Sequence, residues 1–467
     1  MREKPDDPVG RVGGPGPEPH TFTFISPDPE QVLKIGVFVT YRTVAEGVER
    51  AVLARVVERQ PVRLYPDSFL ADPDVSPDAM AEMVGYSGTR AERFEVTGEV
   101  IGYFDPGLRD FVNPRIAPHS GNPVYLAGSA LLGDLLSKCR AGETGSAEVG
   151  WLLSREPGSV PVCLDLAAIV SRHLAIIGST GAGTSYLASV LIEEMMKPNN
   201  RAALVVVDPR GEYDALAEMG AHPALAAEGY RPDVRIYKPG EVDVEQVELR
   251  ELVRPGTCAV LQLNEVNPRE QQEMVAVLLR RLYDARCTTY KQEATATEKP
   301  DFYLPYPLFT LIEEAHHFAP SDADVASTSI LGQILAEGWR IGVGIGLISQ
   351  RPGKLDRDLL SQCHTQCLLR IVNPVDQARV AESVESVGRD LLRELPALTK
   401  GQAIIAGAAV NIPVLCRVRP RHIPHRVEDS SAPQTWLDYF AEIEQERRER
   451  ETAPLSRRQG GRKRWKQ

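Results

Sequence analysis

The chain has no surplus of positive charge. Its 53 Lys and Arg residues stand against 64 Asp and Glu, a formal net charge of −11 over 467 residues. That excludes a polycation that coats nucleic acid indiscriminately, so any nucleic-acid contact has to be local. Cysteine is scarce, and the seven present (139, 163, 258, 287, 363, 367, 416) lack the paired spacing of a disulfide framework. No apolar run reaches the roughly eighteen residues needed to cross a bilayer, and no signal-peptide pattern opens the sequence. A reducing cytoplasm and no membrane association are therefore expected. Cys363, His364 and Cys367 have a spacing that invites a metal reading, but Cys367 opens the apolar run 367–372, which predicts a buried strand.

What is present is ordinary for a soluble globular protein, 43% hydrophobic and 25% charged. The length predicts two or three domains. The first 125 residues or so read as β: segments 20–25, 32–41, 51–58, 94–103 and 124–127 are rich in Val, Phe, Ile, Thr and Tyr and are punctuated by Gly, Pro and Asp. Residues 70–85 break the pattern, with Met80, Met83 and Val84 at helical spacing. A small barrel with an inserted helix results, with no catalytic composition. A helix over 130–139 and a polar segment around 142–150 lead onward. From 160 the pattern alternates. Apolar strands at 174–177, 203–207, 259–263, 308–312 and 344–348 are separated by helices, notably 269–290 with Met274, Val275, Leu278, Leu279 and Leu282 on one side. Fully apolar strands joined by helical crossovers imply an α/β fold with a parallel sheet covered on both faces. The expected boundaries are 1–128 for the barrel, 129–159 for a linker, 160–425 for the α/β core with a helical insertion, and 426–467 for a C-terminal helix and basic tail.

Ligands of such sheets bind at the carboxyl ends of the strands, and the chemistry-bearing residues lie there. The strand at 174–177 runs into Gly178, Ser179, Thr180, Gly181, Ala182, Gly183, Thr184 and Ser185, and a helix starts at about Tyr186. This is the layout of a phosphate-binding P-loop, G-x-x-x-x-G-K-[ST], with threonine where lysine is usual. The glycines (178, 181 and 183) allow positive φ, so successive N–H groups can form an anion-binding nest below a helix N-terminus. Ser185 supplies a hydroxyl for Mg²⁺.

The strand at 308–312 ends in Glu313 and Glu314, the arrangement of a Walker B element. Glu313 is placed to hold the water shell of Mg²⁺ and Glu314 to orient and deprotonate an attacking water. Gln350, after the next strand, is placed to sense a γ-phosphate. Arg351 or Arg340 would stabilise charge there or at a neighbour's site. The segment 208–213 (DPRGEY) closes the second strand and borders the pocket. The tail from Pro454 carries Arg457, Arg458, Arg462, Lys463, Arg464 and Lys466 with no acid, a candidate contact for phosphate backbone or an acidic partner.

In order and spacing, RHLAIIGSTG (172–181), DPRGEY (208–213), EAH (314–316), EGWRIGV (337–343), SQRP (349–352), LSQC (360–363), LRIVNPVDQ (369–377) and LTKGQAIIAG (398–407) resemble the HerA family, within the FtsK–HerA branch of P-loop ATPases. The resemblance covers nearly the whole chain. It implies a RecA-like core, an N-terminal barrel of the HerA–ATP-synthase type, and a homo-hexameric ring around double-stranded DNA. It also implies translocation driven by ATP and Mg²⁺, with a NurA-type nuclease in DNA end processing and repair, or with another effector in phage defence. Two departures stand out. Glu313 replaces the usual aspartate, a mild change, since a longer carboxylate still reaches Mg²⁺ through water. Thr184 removes a full charge from the β/γ-phosphates. An inactivated variant, a natural member of low activity and a member with another compensating cation are all open. A nucleotide-gated scaffold that encircles DNA and recruits an effector without sustained hydrolysis is the alternative function.

Overall fold

A computed structural model of the protein describes residues 7–62, 73–83, 93–424 and 432–452, apart from positions 19, 46, 109, 385 and 386. The N-terminal strands are β1 (Gly10–Pro15), β2 (Thr21–Ser26), β3 (Phe38–Ala45), β4 (Val48–Pro61), β5 (Phe94–Asp105), β6 (Asp110–Val112) and β7 (Pro123–Leu126). They pair in the order β2-β1-β7-β3-β4-β5-β6, and β2 also pairs with β5, closing a six-stranded antiparallel barrel with β6 as a flap on β5. Alternation makes the interior: Phe22 and Phe24 of β2 point inward beside Val39, Tyr41, Val52, Ala54 and Val96, all buried. The strand expected over 32–41 begins only at Phe38, because Asp28 curls the preceding backbone by accepting the N–H groups of Val32 (2.9 Å) and Leu33 (3.2 Å). β1 was not expected at all; its sequence, GRVGGP, has one large apolar residue. The helix expected over 70–85 is α1 (Pro77–Met83); Val84 and the side chain of Met83 lie outside the described residues, as does the basic tail from 454.

Helix α2 (Ser129–Leu135) leaves the barrel, stopping short of the expected 139. The second sheet holds β8 (Ser146–Leu152), β9 (Pro161–Asp165), β10 (Leu174–Ile177), β11 (Ala203–Asp208), β12 (Asp233–Tyr237), β13 (Thr257–Gln262), β14 (Leu308–Ile312), β15 (Val343–Ser349), β16 (Thr365–Leu369), β17 (Gln402–Gly407) and β18 (Val414–Val418). Its order is β12-β13-β11-β14-β15-β10-β16-β17-β18-β8-β9. The seven strands from β12 to β16 are parallel and the remaining pairings antiparallel. β8 falls within 129–159, so this stretch contributes a strand of the sheet. Every residue of β10, β11, β13, β14, β15 and β16 is buried, as expected where helices cover both faces. Cys367 lies in β16, where burial pushes its thiol up to about 12.

The crossover helices follow from their sequences. Helix α3 (Leu166–Arg172) is capped by Asp165, which accepts the N–H of Ala167 at 2.9 Å. Helix α4 (Thr184–Met195) follows the P-loop. Helix α5 (Pro268–Tyr290) starts with proline at its first position, and Asn267 caps it by accepting the N–H of Glu270 (3.0 Å). Its Val275, Leu278, Leu279 and Leu282 are buried and Met274 packs against them. Helix α6 (Thr328–Ile341) ends where Gly342 adopts φ 74°. The barrel joins the core through Phe38 and Leu53, which belong to the core's apolar cluster. Arg55, almost fully buried, bridges Glu99 of β5 (2.5 Å) and Asp390 of the core (2.8 Å). Helix α7 (Ala432–Thr452) belongs to a second unit. Among the described residues no helix is long and apolar enough to cross a membrane.

Candidate active site

Register assembles the site. Ile177 pairs with Ser349, Ile312 with Leu347, and Val207 with Ile312. The residues after these positions (Gly178, Gln350, Glu313 and Asp208) therefore emerge along one carboxyl edge of the sheet. The P-loop is fastened there between neighbouring strands: Gly178 N–H donates to the Ser349 carbonyl (3.2 Å) and Ser179 N–H to that of Arg370 (2.8 Å). Gly181 and Gly183 take φ 78° and 107°, conformations open to glycine and little else. Gly178 does not take positive φ, a departure from expectation. It is needed for space: a Cβ there would lie 2.9 Å from Leu369 Cβ and 3.2 Å from Thr184 Cγ2. Thr180 and Gly181 form the exposed crest, and Ala182 N–H closes the turn onto the Ser179 carbonyl at 3.0 Å.

Thr184 is only 3% exposed and its methyl faces Gly178, so its side chain packs behind the loop. Ser185 faces the other way. Its hydroxyl donates to Glu313 Oε1 (3.0 Å), and the Tyr213 hydroxyl donates to Glu313 Oε2 (2.7 Å). Burial pushes the Glu313 carboxyl up to about 8, and the two hydrogen bonds only partly oppose this. Burial, and then the adjacent Glu313, hold the Tyr213 phenol well above its usual range.

Glu314 is 1% exposed and holds φ 50°, ψ 44°, a left-handed conformation unfavourable for a side chain of its size. Arg210 Nη2 contacts its Oε1, and His316 Nδ1 lies 3.3 Å from its Oε2. The Arg210 ion pair is thus the chief partner of this buried carboxylate among the described residues. Burial raises the Glu314 carboxyl, Arg210 and Arg351 pull it back, and Glu212 pushes it up. Burial, with nearby His317, Arg351, Arg210 and Lys354, depresses His316 to about 3, leaving a neutral imidazole that also meets Ser349 Oγ at 3.2 Å. Arg210 is held by its loop: Asp208 accepts the N–H groups of Arg210, Gly211, Glu212 and Tyr213 at 2.8–3.3 Å.

Thus the structure brings Ser185, Glu313, Glu314, Gln350 and Arg351 to one edge, with Arg351 exposed and its backbone N–H on Ser349 Oγ (3.1 Å). Arg340 is not brought there. It sits in the last turn of α6, before the amino end of β15, and the seven residues of that strand separate it from the P-loop by about 20 Å. Its guanidinium lies 5.2 Å from the Trp339 ring. Tyr186 accepts the N–H of Arg421 (3.0 Å), whose guanidinium lies 4.6 Å from its ring. Tyr213, Asp208 and His316 were not named individually from sequence, although their segments, DPRGEY and EAH, were.

These groups suit a magnesium nucleotide. Among the described residues the N–H groups of Gly181 and Gly183 donate to no backbone carbonyl, which leaves an anion nest open. A serine hydroxyl against a buried carboxylate is the donor set of a hard cation. Beside it, Glu314 offers a buried carboxylate held only by the Arg210 ion pair and the His316 contact.

Residues 147–304 match the model of the helicase HerA central domain. The DNA double-strand break repair helicase HerA of Pyrococcus furiosus is 26% identical over 449 residues, covering 72% of this chain and 79% of that protein. A Methanocaldococcus jannaschii protein named "Probable helicase MJECL08" is 28% identical over 430 residues, 70% of this chain and 80% of its own. VirB4 of Thermoanaerobacter pseudethanolicus gives a loose structural likeness, with a TM-score of 0.42 at 10% identity over 61% of this chain and 98% of that one. In its central domain, and along most of the length of these relatives, the chain is thus similar to the HerA helicases.

Proposed function

We propose that the chain is a ring-forming, ATP-dependent DNA translocase of HerA type, acting on double-stranded DNA with a NurA-type nuclease in end processing and repair, or with an effector in phage defence. The observation that carries this reading is the convergence of Ser185, Glu313 and Glu314 beside a glycine-rich anion nest. The relatives named for DNA double-strand break repair support the choice of substrate. The backbone N–H groups of the P-loop would hold the phosphates, and Ser185 with Glu313 would hold Mg²⁺. Bound Mg²⁺ would neutralise charge shared by the β- and γ-oxygens. Glu314, once released from Arg210, takes the proton of the attacking water. Gln350 orients the γ-phosphoryl group, and Arg210 and Arg351 offset the charge that develops there. Arg340, remote from its own P-loop, is left with a role at a neighbouring subunit's site within a homo-hexamer. The division into a barrel at 1–128, a linker at 129–159, a core at 160–425 and a C-terminal segment at 426–467 fits a ring-building collar on a motor, with the basic tail as a DNA or partner contact.

Thr184 favours a second reading, a nucleotide-gated ring that encircles DNA and recruits an effector without sustained hydrolysis. Steady-state ATP hydrolysis with and without duplex DNA separates the two. Turnover that needs Mg²⁺, rises with DNA and disappears in Glu314→Gln is the expected result. Nucleotide binding with no turnover would leave the scaffold.

A further inference from the structure

Thr184 carries no charge and is buried with its methyl against Gly178, so any cation that serves bound nucleotide in its place comes from another segment. Besides the ends of β15 and β16, which hold the start of the P-loop, a further segment touches it from outside. Residues 399–402 form a tight turn: Gln402 N–H donates to the Thr399 carbonyl (3.0 Å), and Thr399 N–H returns to Gln402 Oε1 (3.0 Å). Gly401 occupies the position that needs positive φ, at 78°. Its N–H donates to the carbonyl of Ala182, inside the P-loop, at 3.3 Å, and it also lies 3.7 Å from where a Cβ on Gly183 would stand. Lys400 is therefore locked against the loop by its neighbour. Its side chain is exposed and, like Arg417 across the way on β18, has no carboxylate partner among the described residues.

Both cations line a cleft of about 400 Å³ that opens beside the P-loop, together with Gly183, Tyr186, Thr399 and Gln402. Its lining holds two cations and no acid, in a chain whose net charge is −11. Such a field concentrates anions at one place on an otherwise repulsive molecule. We propose that Lys400, supported by Arg417, supplies to bound nucleotide the positive charge that the P-loop lacks at Thr184. The proposal rests on the ATPase reading and names the residue that makes nucleotide binding tolerable without the P-loop lysine. Lys400 sits on a flexible stem outside the loop, so it serves the phosphates of bound nucleotide better than it serves the separating γ-phosphoryl group.

The test is binding, independent of turnover. Fluorescence anisotropy of N-methylanthraniloyl-ATP with Mg²⁺ is followed in the full chain, with ATP and adenosine as competitors. Lys400→Gln should weaken ATP at least tenfold and leave adenosine competition unchanged, because adenosine carries no phosphate. Arg417→Gln should weaken ATP by less. Adding Thr184→Lys to Lys400→Gln should restore affinity. Lys291→Gln, at the far end of α5, should change nothing, and thermal melting checks that every variant is folded. ATP affinity within twofold of the unmodified chain in a folded Lys400→Gln, or an equal loss in Lys291→Gln, overturns the proposal while leaving the ATPase reading intact. Absence of nucleotide binding by the unmodified chain overturns both.

Discussion

Replacing Thr184 by lysine bears most directly on the chemistry. Threonine leaves the loop geometry in place: the positive φ of Gly181 and Gly183 and the Ser185–Glu313 contact are all present. What is missing is one unit of charge next to the transferring group. At about 4 Å and an effective dielectric near 20, such a charge is worth about 4 kcal/mol before desolvation. Loss of a single transition-state donor typically costs about 10²–10³ in rate. Thr184→Lys should therefore raise turnover by about 10²-fold. ATP affinity should change less, because Lys400 already serves the bound state. The opposing term is steric: Thr184 is buried against Gly178, and a longer side chain there costs about 1–3 kcal/mol unless it leaves along the loop. Coupled-enzyme ATPase assays at saturating Mg²⁺-ATP, paired with melting curves, read both. Adding Glu314→Gln should abolish the gain, since the attacking water then lacks its base. A folded Thr184→Lys protein with unchanged turnover refutes the reasoning, whether because another cation already serves the transition state or because the site does not hydrolyse ATP.

Three further outcomes follow from the site's charges. Glu313 holds its proton up to about pH 8 in the fold, against an ordinary value of 4.5. The stability tied to that proton is full below about pH 4.5 and is lost as pH rises toward 8. Melting temperature of the nucleotide-free protein should thus fall across pH 5–8, more steeply than in Glu313→Gln, and Mg²⁺-ATP binding at pH 7 should release a proton, seen as buffer-dependent heat in calorimetry. Arg210 pulls the Glu314 carboxyl down, so Arg210→Gln should move the acid limb of the ATPase pH profile to higher pH. Arg419, buried, pairs with Glu193 (3.0 Å) and Glu194 (2.7 Å) of the P-loop helix, so Arg419→Met leaves two buried carboxylates without their arginine and should cost about 3–5 kcal/mol in urea denaturation.

The sequence makes part of this site legible, for definable reasons. An apolar strand ending in two acids, and one ending in a glycine-rich turn, are local patterns, and a parallel sheet places all its strand ends on one edge. What stayed hidden depends on contacts between segments far apart in the chain. Tyr213 reaches Glu313 only because β11 and β14 are neighbours, and Arg210 meets Glu314 by the same adjacency. Lys400 is an ordinary exposed lysine until the turn at Gly401 docks on Ala182. Arg340 shows the converse: a motif near the site in sequence lies at the far end of β15 in space, which leaves only a neighbour's site open to it. Gly178 was expected to supply conformational freedom and supplies room instead, a distinction that sequence cannot draw.

The central claim is ATP-driven movement along duplex DNA, and displacement of a triplex-forming oligonucleotide from a linear duplex measures it most directly. The unmodified chain should release the third strand in an ATP- and Mg²⁺-dependent manner, faster in Thr184→Lys and not at all in Glu314→Gln. Release that proceeds equally without ATP, or no release by Thr184→Lys protein that binds both ATP and DNA, would contradict it.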